Sequence, residues 1–172
     1  MKGILKLVIA LFFILLLLVA IYNNSNAEEV VETETVWVLC KPATGVNLRA
    51  KPKKSSRETG GVFCGDELTT DDIEKNGYLH IVNLAAEEPE AWISLRYIVY
   101  SPPIEIEMEM QIKAKGKVKA RKWVDGPHLR YVRNGDIVYV YWMTNEWAVT
   151  NRGYIKSEFL NYIVKDDYND TD

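Results

Sequence analysis

The chain has 172 residues, of which 48% are hydrophobic and 26% are charged, a balance typical of a folded protein with one or two small domains. The first 27 residues hold two of the 21 lysines and arginines and none of the 24 acidic residues, so the remainder carries a net charge of −5. Because contact with phosphates requires a cationic face, this acidic balance argues against general nucleic-acid binding.

Residues 1–27 have the pattern of an export signal. Two lysines precede an apolar run at 7–21, and Ser25 and Ala27 place small residues where a signal peptidase cuts. The alternative is an uncleaved anchor, because the apolar segment counted from Ile4 has 18 residues, the lower limit for a spanning helix. Under both hypotheses the lysines stay inside, so the body is expected to be secreted or to lie in the cell envelope. It would meet a membrane only through an uncleaved leader.

The body is predicted to consist of short strands, because no segment after residue 28 has sustained helical periodicity. The strand segments before Pro102 are 36–40, 46–50, 61–64, 67–70, 78–84 and 91–98. Pro102 and Pro103 cannot continue a strand ladder and mark a domain boundary. Residues 104–111 then alternate strictly between apolar and polar, mostly acidic, side chains, which predicts a half-buried strand. Such a pattern is typical of small barrels or sandwiches.

One segment recurs. Residues 48–68 align with 118–138 at an offset of 70 without a gap, and each copy has a Gly-Asp turn. The closing strand at 91–98 matches 153–160 at a shorter offset. Two copies of one small β domain are therefore predicted. The expected limits are a leader at 1–27, a first barrel at 28–101, a second barrel at 102–165 and an acidic, disordered tail at 166–172.

Four short motifs of the first copy carry a family resemblance: VNLRAKP at 46–52, GDEL at 65–68, NGY at 76–78 and AWI at 91–93. Together they resemble the bacterial SH3-type domain. The second copy is less similar, because KVK at 117–119 stands where the family has Asn-apolar-Arg. The resemblance implies an all-β chain with two tandem SH3-like β-barrels after an apolar leader helix. It also implies an extracytoplasmic binding module, of a kind often directed to the bacterial cell wall.

The two cysteines, Cys40 and Cys64, are predicted to lie at the core side of the first copy, with Cys40 aligned to Met110. Two cysteines in one small exported domain favour a disulfide, worth about 3 kcal/mol in the chain-entropy description. The alternative is two separate buried thiols. Two sulfurs and the distant His80 and His128 have no metal-ligand spacing, so neither a metal nor a cofactor is predicted.

No catalytic motif surrounds either histidine. A nucleophilic enzyme needs a cysteine or serine beside a histidine that a third group orients. His80 lies on a strand with alternating apolar neighbours, and His128 follows a Gly-Pro pair in a loop. The chain is therefore expected not to be an enzyme, and a cell-wall hydrolase is the least favoured of three hypotheses.

Aromatic residues concentrate in the second copy. After its Gly-Asp turn, Tyr139 and Tyr141 are predicted to project outward together, with Trp142 beside them and Trp123 and Trp147 extending the patch. Outward aromatics can bind sugar rings or peptide side chains. The alternative is that they form the interface between the two barrels.

Basic residues line one face of the second copy, at every second position from Lys113 to Arg121. This stripe suits an anionic wall polymer or lipid, and its alternative is a solvated strand edge. The leading hypothesis is an exported, non-catalytic protein that binds peptidoglycan or a peptide through Tyr139, Tyr141, Trp142, Lys117 and Lys119. Its rival is an extracytoplasmic adaptor whose aromatic face joins the barrels or a partner protein.

Overall fold

A computed structural model describes residues 14–16, 32–82 and 91–163. Within the leader, 14–16 are helical, and the rest of the predicted export signal and the acidic tail lie outside the described residues. No described helix is long and apolar enough to cross a bilayer. The chain divides into two compact units, Met1–Glu32 and Thr33–Asp172.

The unit Thr33–Asp172 contains two seven-stranded antiparallel sheets, which confirms the all-β prediction of two tandem SH3-like barrels. The first barrel comprises β1 (Glu34–Val38), β2 (Val46–Arg49), β3 (Glu58–Val62), β4 (Glu67–Lys75), β5 (Tyr78–Ile81), β6 (Ala91–Ser94) and β7 (Ile98–Val99). The second comprises β8 (Ile104–Ile112), β9 (Lys117–Arg121), β10 (His128–Arg133), β11 (Ile137–Met143), β12 (Trp147–Thr150), β13 (Gly153–Lys156) and β14 (Leu160–Tyr162).

The two barrels share one topology. The strand orders are β3-β2-β6-β5-β4-β1-β7 and β10-β9-β13-β12-β11-β8-β14, the same sequence of neighbours shifted by seven. In each barrel a single 3₁₀ turn, Leu95–Tyr97 or Ser157–Phe159, joins the last two strands. The predicted match between 91–98 and 153–160 is therefore confirmed.

Each barrel encloses its own apolar core. In the first, alternate residues of β1 and β2 point inward, so Val36, Val38 and Leu48 are buried while Asn47 is exposed. In the second, the same alternation buries Met110 and Ile112 together with the core residues of β9 to β14. Burial of this apolar surface supplies the main favourable free energy of folding.

The predicted ungapped offset of 70 is wrong for β2 and β9. Val46 pairs with Val62, whereas Val118 pairs with Val132, so Val46 corresponds to Val118. The segment that matches NLR at 47–49 is therefore KAR at 119–121, and the following loop is two residues shorter in the second barrel. The sequence alignment did not show this two-residue deletion because it was anchored on the Gly-Asp turns, which do keep the offset of 70. Loops tolerate deletions, so the offset changes across the loop.

The corrected alignment shows that both barrels use one arginine in the same way. Arg49 Nη1 donates to the Ser56 carbonyl at 2.9 Å, and Arg121 Nη1 donates to the Gly126 carbonyl at 2.7 Å. Each arginine closes the loop that follows its own strand. It satisfies a backbone acceptor there with a charge-assisted hydrogen bond.

The predicted equivalence of Cys40 and Met110 is also wrong. The Val38 amide donates to the Asp66 carbonyl, and the Ile112 amide donates to the Asp136 carbonyl, so Val38 corresponds to Ile112. Two residues further on, Cys40 corresponds to Ala114, which is only half-buried.

The strict alternation predicted for 104–111 yields burial only at its C-terminal end. Ile104 is 65% exposed and Met108 is 41% exposed, whereas Met110 is 1% exposed. The pairing of β8 with β11 shifts register midway, and Glu107 has a φ of 46° there. This bulge interrupts the alternation, so Ile104 and Met108 stay exposed, while Ile106 is only partly buried against the core.

Candidate functional site

A third apolar cluster joins the two barrels. Leu39 and Val99 of the first barrel pack with Trp147, Val149 and Tyr154 of the second. The Tyr154 hydroxyl donates to the Leu39 carbonyl at 3.3 Å, and burial raises the pKa of this tyrosine, so it remains a donor. We call this set the junction cluster. It fixes the two barrels against one another through buried side chains.

The first barrel has polar residues where the second has junction residues. His80 pairs with Trp92 as Val149 pairs with Tyr154, so His80 and Val149 are equivalent. His80 Nδ1 lies 2.8 Å from Asp71 Oδ2. Burial opposes ionisation of Asp71, but the hydrogen bond with His80 holds its pKa below the ordinary value. The second barrel therefore presents an apolar docking surface at Val149, where the first barrel has the polar pair of His80 and Asp71.

The predicted aromatic residues separate into two groups. Tyr139 and Tyr141 do project away from the buried Val138 and Val140, and their ring centroids are 5.1 Å apart. Tyr141 and Trp142, however, pack against the junction cluster. The structure thus places two of the three predicted aromatics at the interface between the barrels.

The predicted lysines lie apart from these aromatics. Lys117 and Lys119 are exposed on β9, and Lys117 Nζ lies 5.8 Å from the ring centroid of Tyr131. In the order β9-β13-β12-β11, two strands separate the lysines from Tyr139. Three strand spacings correspond to about 14 Å, so these five predicted residues do not form one compact site.

Trp142 reaches the Gly-Asp turn of the first barrel. A Cβ added at Gly65 would lie 3.1 Å from Trp142 Cη2 and 3.2 Å from Cζ3, and the φ of Gly65 is +93°. Gly135, its counterpart in the second barrel, has a φ of +86° and nothing within 4 Å of an added Cβ. The two glycines thus share a backbone requirement and differ in the interface contact.

We therefore expect Gly65→Ala to destabilise the protein more than Gly135→Ala. Left-handed backbone costs an alanine about 1–2 kcal/mol at either position. The crowding against Trp142 adds about 1 kcal/mol at Gly65 only. Urea unfolding of both variants measures the difference, and equal midpoints would contradict packing of Trp142 on this turn.

Cys40 and Cys64 lie beside the junction cluster as free thiols. The Cys40 amide donates to Cys64 Sγ at 3.2 Å, and the Cys40 thiol donates to the Thr44 carbonyl at 3.1 Å. A hydrogen bond between the thiols lowers the pKa of Cys40 and raises that of Cys64, and burial opposes ionisation of both. The predicted proximity is present, and the predicted disulfide bond is not.

A cleft of about 790 Å³ opens beside the junction cluster, and both barrels line it. The first barrel contributes the loop at 52–54, the turn at 76–78 and most of the segment 94–101. The second contributes the loop at 123–125 and the turn at 144–147. This volume is in the range of small-molecule and peptide sites.

Aromatic side chains from both barrels line the cleft: Tyr78, Tyr100, Trp123 and Trp147. The Arg96 guanidinium lies 4.2 Å from the ring centroid of Trp123, a cation–π contact that crosses from one barrel to the other. Trp147 is 2% exposed, and its indole Nε1 has no hydrogen-bond partner among the described residues.

The charges of the cleft differ between its walls. The first barrel contributes Lys53, Lys54 and Arg96, and the second contributes Asp125 and Glu146. Glu146 Oε2 lies 3.3 Å from Lys156 Nζ, so its charge is compensated. Among the described residues, the two lysines and Asp125 form no ion pair.

Most of the cleft was not predicted from sequence. Trp123 and Trp147 were predicted to extend an aromatic patch, and Tyr78 lies in the NGY motif, but no sequence pattern indicated that Tyr78, Tyr100 or Arg96 lines a site. The sequence did contain one indication of this site. Lys53 and Lys54 directly follow the proline that ends the VNLRAKP motif at 46–52. Among the described residues, no cluster of three acidic, histidine or cysteine side chains could hold a metal ion.

The sequence matches no protein-family model and no curated protein. Among solved structures, NlpC1 from Trichomonas vaginalis is similar over 80% of this chain and 48% of its own, with 16% identity and a TM-score of 0.35. NlpC2 from the same organism is similar over 78% and 50%, with 15% identity and a TM-score of 0.33. The CBD of endolysin LysPBC5 is similar over 78% and 96%, with 12% identity and a TM-score of 0.27. The chain thus spans about half the length of the two NlpC structures, and similarities of this size do not assign it to a family.

Proposed function

We propose that this chain is an exported, non-catalytic binding protein whose tandem SH3-type barrels recognise cell-wall peptidoglycan or its peptides. The observation that carries the proposal is the cleft that both barrels line. The motifs at 46–52 and 65–68 support the class of barrel, and the pattern of 1–27 supports export.

The junction cluster makes a composite site physically reasonable. Because buried side chains hold the barrels together, cleft walls from different barrels keep a constant separation. A preformed cleft loses little conformational entropy when a ligand binds. Its aromatic rings can stack on sugar rings or peptide groups, and its charged and amide side chains can select polar substituents.

The arrangement around His80 favours binding over catalysis. Asp71 orients the imidazole as in a catalytic dyad, but Nε2 is buried and has no partner among the described residues. A ring nitrogen in that position cannot take a proton from a nucleophile or a substrate. The ring instead packs on Trp92, with centroids 4.8 Å apart.

Sedimentation with purified peptidoglycan tests the proposal on the chain lacking 1–27. We expect the protein to pellet with the polymer and Tyr78→Ala/Tyr100→Ala to weaken binding at least about tenfold, since each lost stacking contact costs about 1 kcal/mol. The matched control is Tyr131→Ala/Tyr162→Ala, which removes two exposed tyrosines outside the cleft.

Three results would count against parts of the proposal. If the unaltered protein stays in the supernatant, wall binding is wrong. If the control variant loses as much binding as the cleft variant, the cleft is not the site. If only Tyr139→Ala weakens pelleting, the outward tyrosine of β11 carries recognition instead.

The second candidate is an extracytoplasmic adaptor. The observation that favours it is the packing of the partly buried Tyr141 and Trp142 against the junction cluster, which leaves fewer aromatics free for a ligand. This hypothesis predicts a dimer or a complex with a partner protein in size-exclusion chromatography and no affinity for the wall polymer.

A further inference from the structure

The uncompensated charges of the cleft come from different barrels. Lys53 and Lys54 belong to the first barrel, and Asp125 belongs to the second. Charges that line a concave surface act at lower effective dielectric than charges on a convex one, so they attract complementary groups more strongly. The lysine wall suits an anion, and the aspartate wall suits a cation.

The lysine wall is held in place by backbone hydrogen bonds. The Lys53 amide donates to the Lys51 carbonyl at 2.7 Å, and the Ser56 amide donates to the Lys53 carbonyl at 3.0 Å. Asn76 Nδ2 donates to the Pro52 carbonyl at 3.4 Å, which links the loop to the β4–β5 turn. The two ammonium groups are therefore attached to an ordered loop and have no described carboxylate to neutralise them.

The aspartate wall has a similar support. Asp125 has a φ of 51°, and the next residue closes the turn because the Gly126 amide donates to the Trp123 carbonyl at 2.9 Å. Asparagine and aspartate tolerate this left-handed backbone better than other non-glycine residues. Asp125 is an exposed residue of the cleft lining, and its carboxylate forms no ion pair with a described residue.

Between the walls, the floor of the cleft suits a peptide backbone. Tyr78, Tyr100 and Trp123 offer ring faces, and the two tyrosines add hydroxyls. Arg96 already covers one face of the Trp123 indole. Ser101 Oγ donates to Asn145 Oδ1 at 2.6 Å, so a polar bridge between the barrels also borders the cleft. Amide groups can stack on such rings and exchange hydrogen bonds with such side chains.

From this arrangement we infer that the cleft binds a short zwitterionic peptide in one orientation. Its carboxylate meets Lys53 and Lys54 of the first barrel, and its free amine meets Asp125 of the second. The inference rests on the proposed function and specifies which part of the wall polymer is recognised: a stem peptide with a free carboxylate and a free side-chain amine, rather than the glycan.

Calorimetric titration with the tripeptide L-Ala-γ-D-Glu-L-Lys tests the inference. We expect binding of the free peptide, and about tenfold weaker binding when its carboxylates are amidated or its amines are acetylated, since a charge-assisted pair is lost in each case. Lys53→Gln/Lys54→Gln should weaken the free peptide about tenfold and leave the amidated peptide unchanged. Asp125→Asn keeps a residue that tolerates the same left-handed backbone. This variant should bind the free peptide about tenfold more weakly and bind the amine-acetylated peptide unchanged.

The control Lys41→Gln/Lys122→Gln removes the same charge from exposed lysines outside the cleft and should bind the tripeptide normally. Equal affinity for free and blocked peptides overturns the inference, as does an equal loss in the control variant. Pelleting with peptidoglycan without tripeptide binding overturns the inference and leaves wall binding intact. Tripeptide binding without pelleting supports the inference and overturns recognition of the intact polymer.

Discussion

Replacing Trp147 by alanine is expected to lower the free energy of unfolding by about 3–5 kcal/mol, the range found for large aromatic residues in cores. Trp147 is 2% exposed and packs with Leu39 and Tyr154 across the junction. Its removal leaves a cavity that two separately folded barrels cannot fill by collapsing inward. The loss therefore weakens both the second barrel and its attachment to the first.

The same variant should change the cooperativity of unfolding. In the unaltered protein the junction cluster couples the barrels, so a single calorimetric transition is expected. In Trp147→Ala we expect two separate transitions, with the second barrel unfolding first. Trp147→Phe keeps most of the apolar contact and removes an indole N–H that has no described partner, so it should cost less than half as much.

Phe63→Ala serves as the control, because Phe63 is 64% exposed and should change stability by no more than about 0.5 kcal/mol. A single transition in Trp147→Ala, with a loss no greater than in Phe63→Ala, would show that Trp147 does not carry the coupling between the barrels.

Oxidation of Cys40 and Cys64 is expected to have the second largest effect, a gain of about 3 kcal/mol in the free energy of unfolding. The two residues are 24 positions apart and already in contact, so a disulfide would close a loop without a large rearrangement. The step removes two electrons and two protons, and a small-molecule disulfide such as oxidised glutathione accepts them.

Mass spectrometry of the purified protein, with and without reductant, measures the bridge as the loss of two hydrogen atoms. Thermal unfolding in the two states then measures its contribution. Cys40→Ala/Cys64→Ala is the control, since its stability should not depend on reductant. Complete alkylation of both thiols in unreduced, unfolded protein would contradict the disulfide.

The strands and the repeat could be predicted because they depend on local patterns. Alternation around Leu48 and Val138 shows which side chains face a core, and the two Gly-Asp turns set the ends of neighbouring strands. The closing segments 91–98 and 153–160 were matched for the same reason. In each case neighbours in the chain carry enough information to specify the local geometry.

Predictions failed where one residue's role depends on a distant segment. The alignment of Cys40 with Met110 was wrong because strand register is set by hydrogen bonds to another strand. The burial predicted for Met108 did not occur because a bulge in the pairing with β11 changes the face that points inward.

For the candidate site, the sequence by itself determined which residues are available: aromatic residues and a basic stripe from Lys113 to Arg121 in the second copy, and two cysteines in the first copy. Only the tertiary structure decided how these residues are used. It packs Tyr141 and Trp142 against the junction cluster and brings Lys53 of the first barrel and Asp125 of the second into the lining of one cleft. The physical reason is that alternation shows which residues leave the core of one barrel, whereas the packing of two barrels decides which of them meet each other.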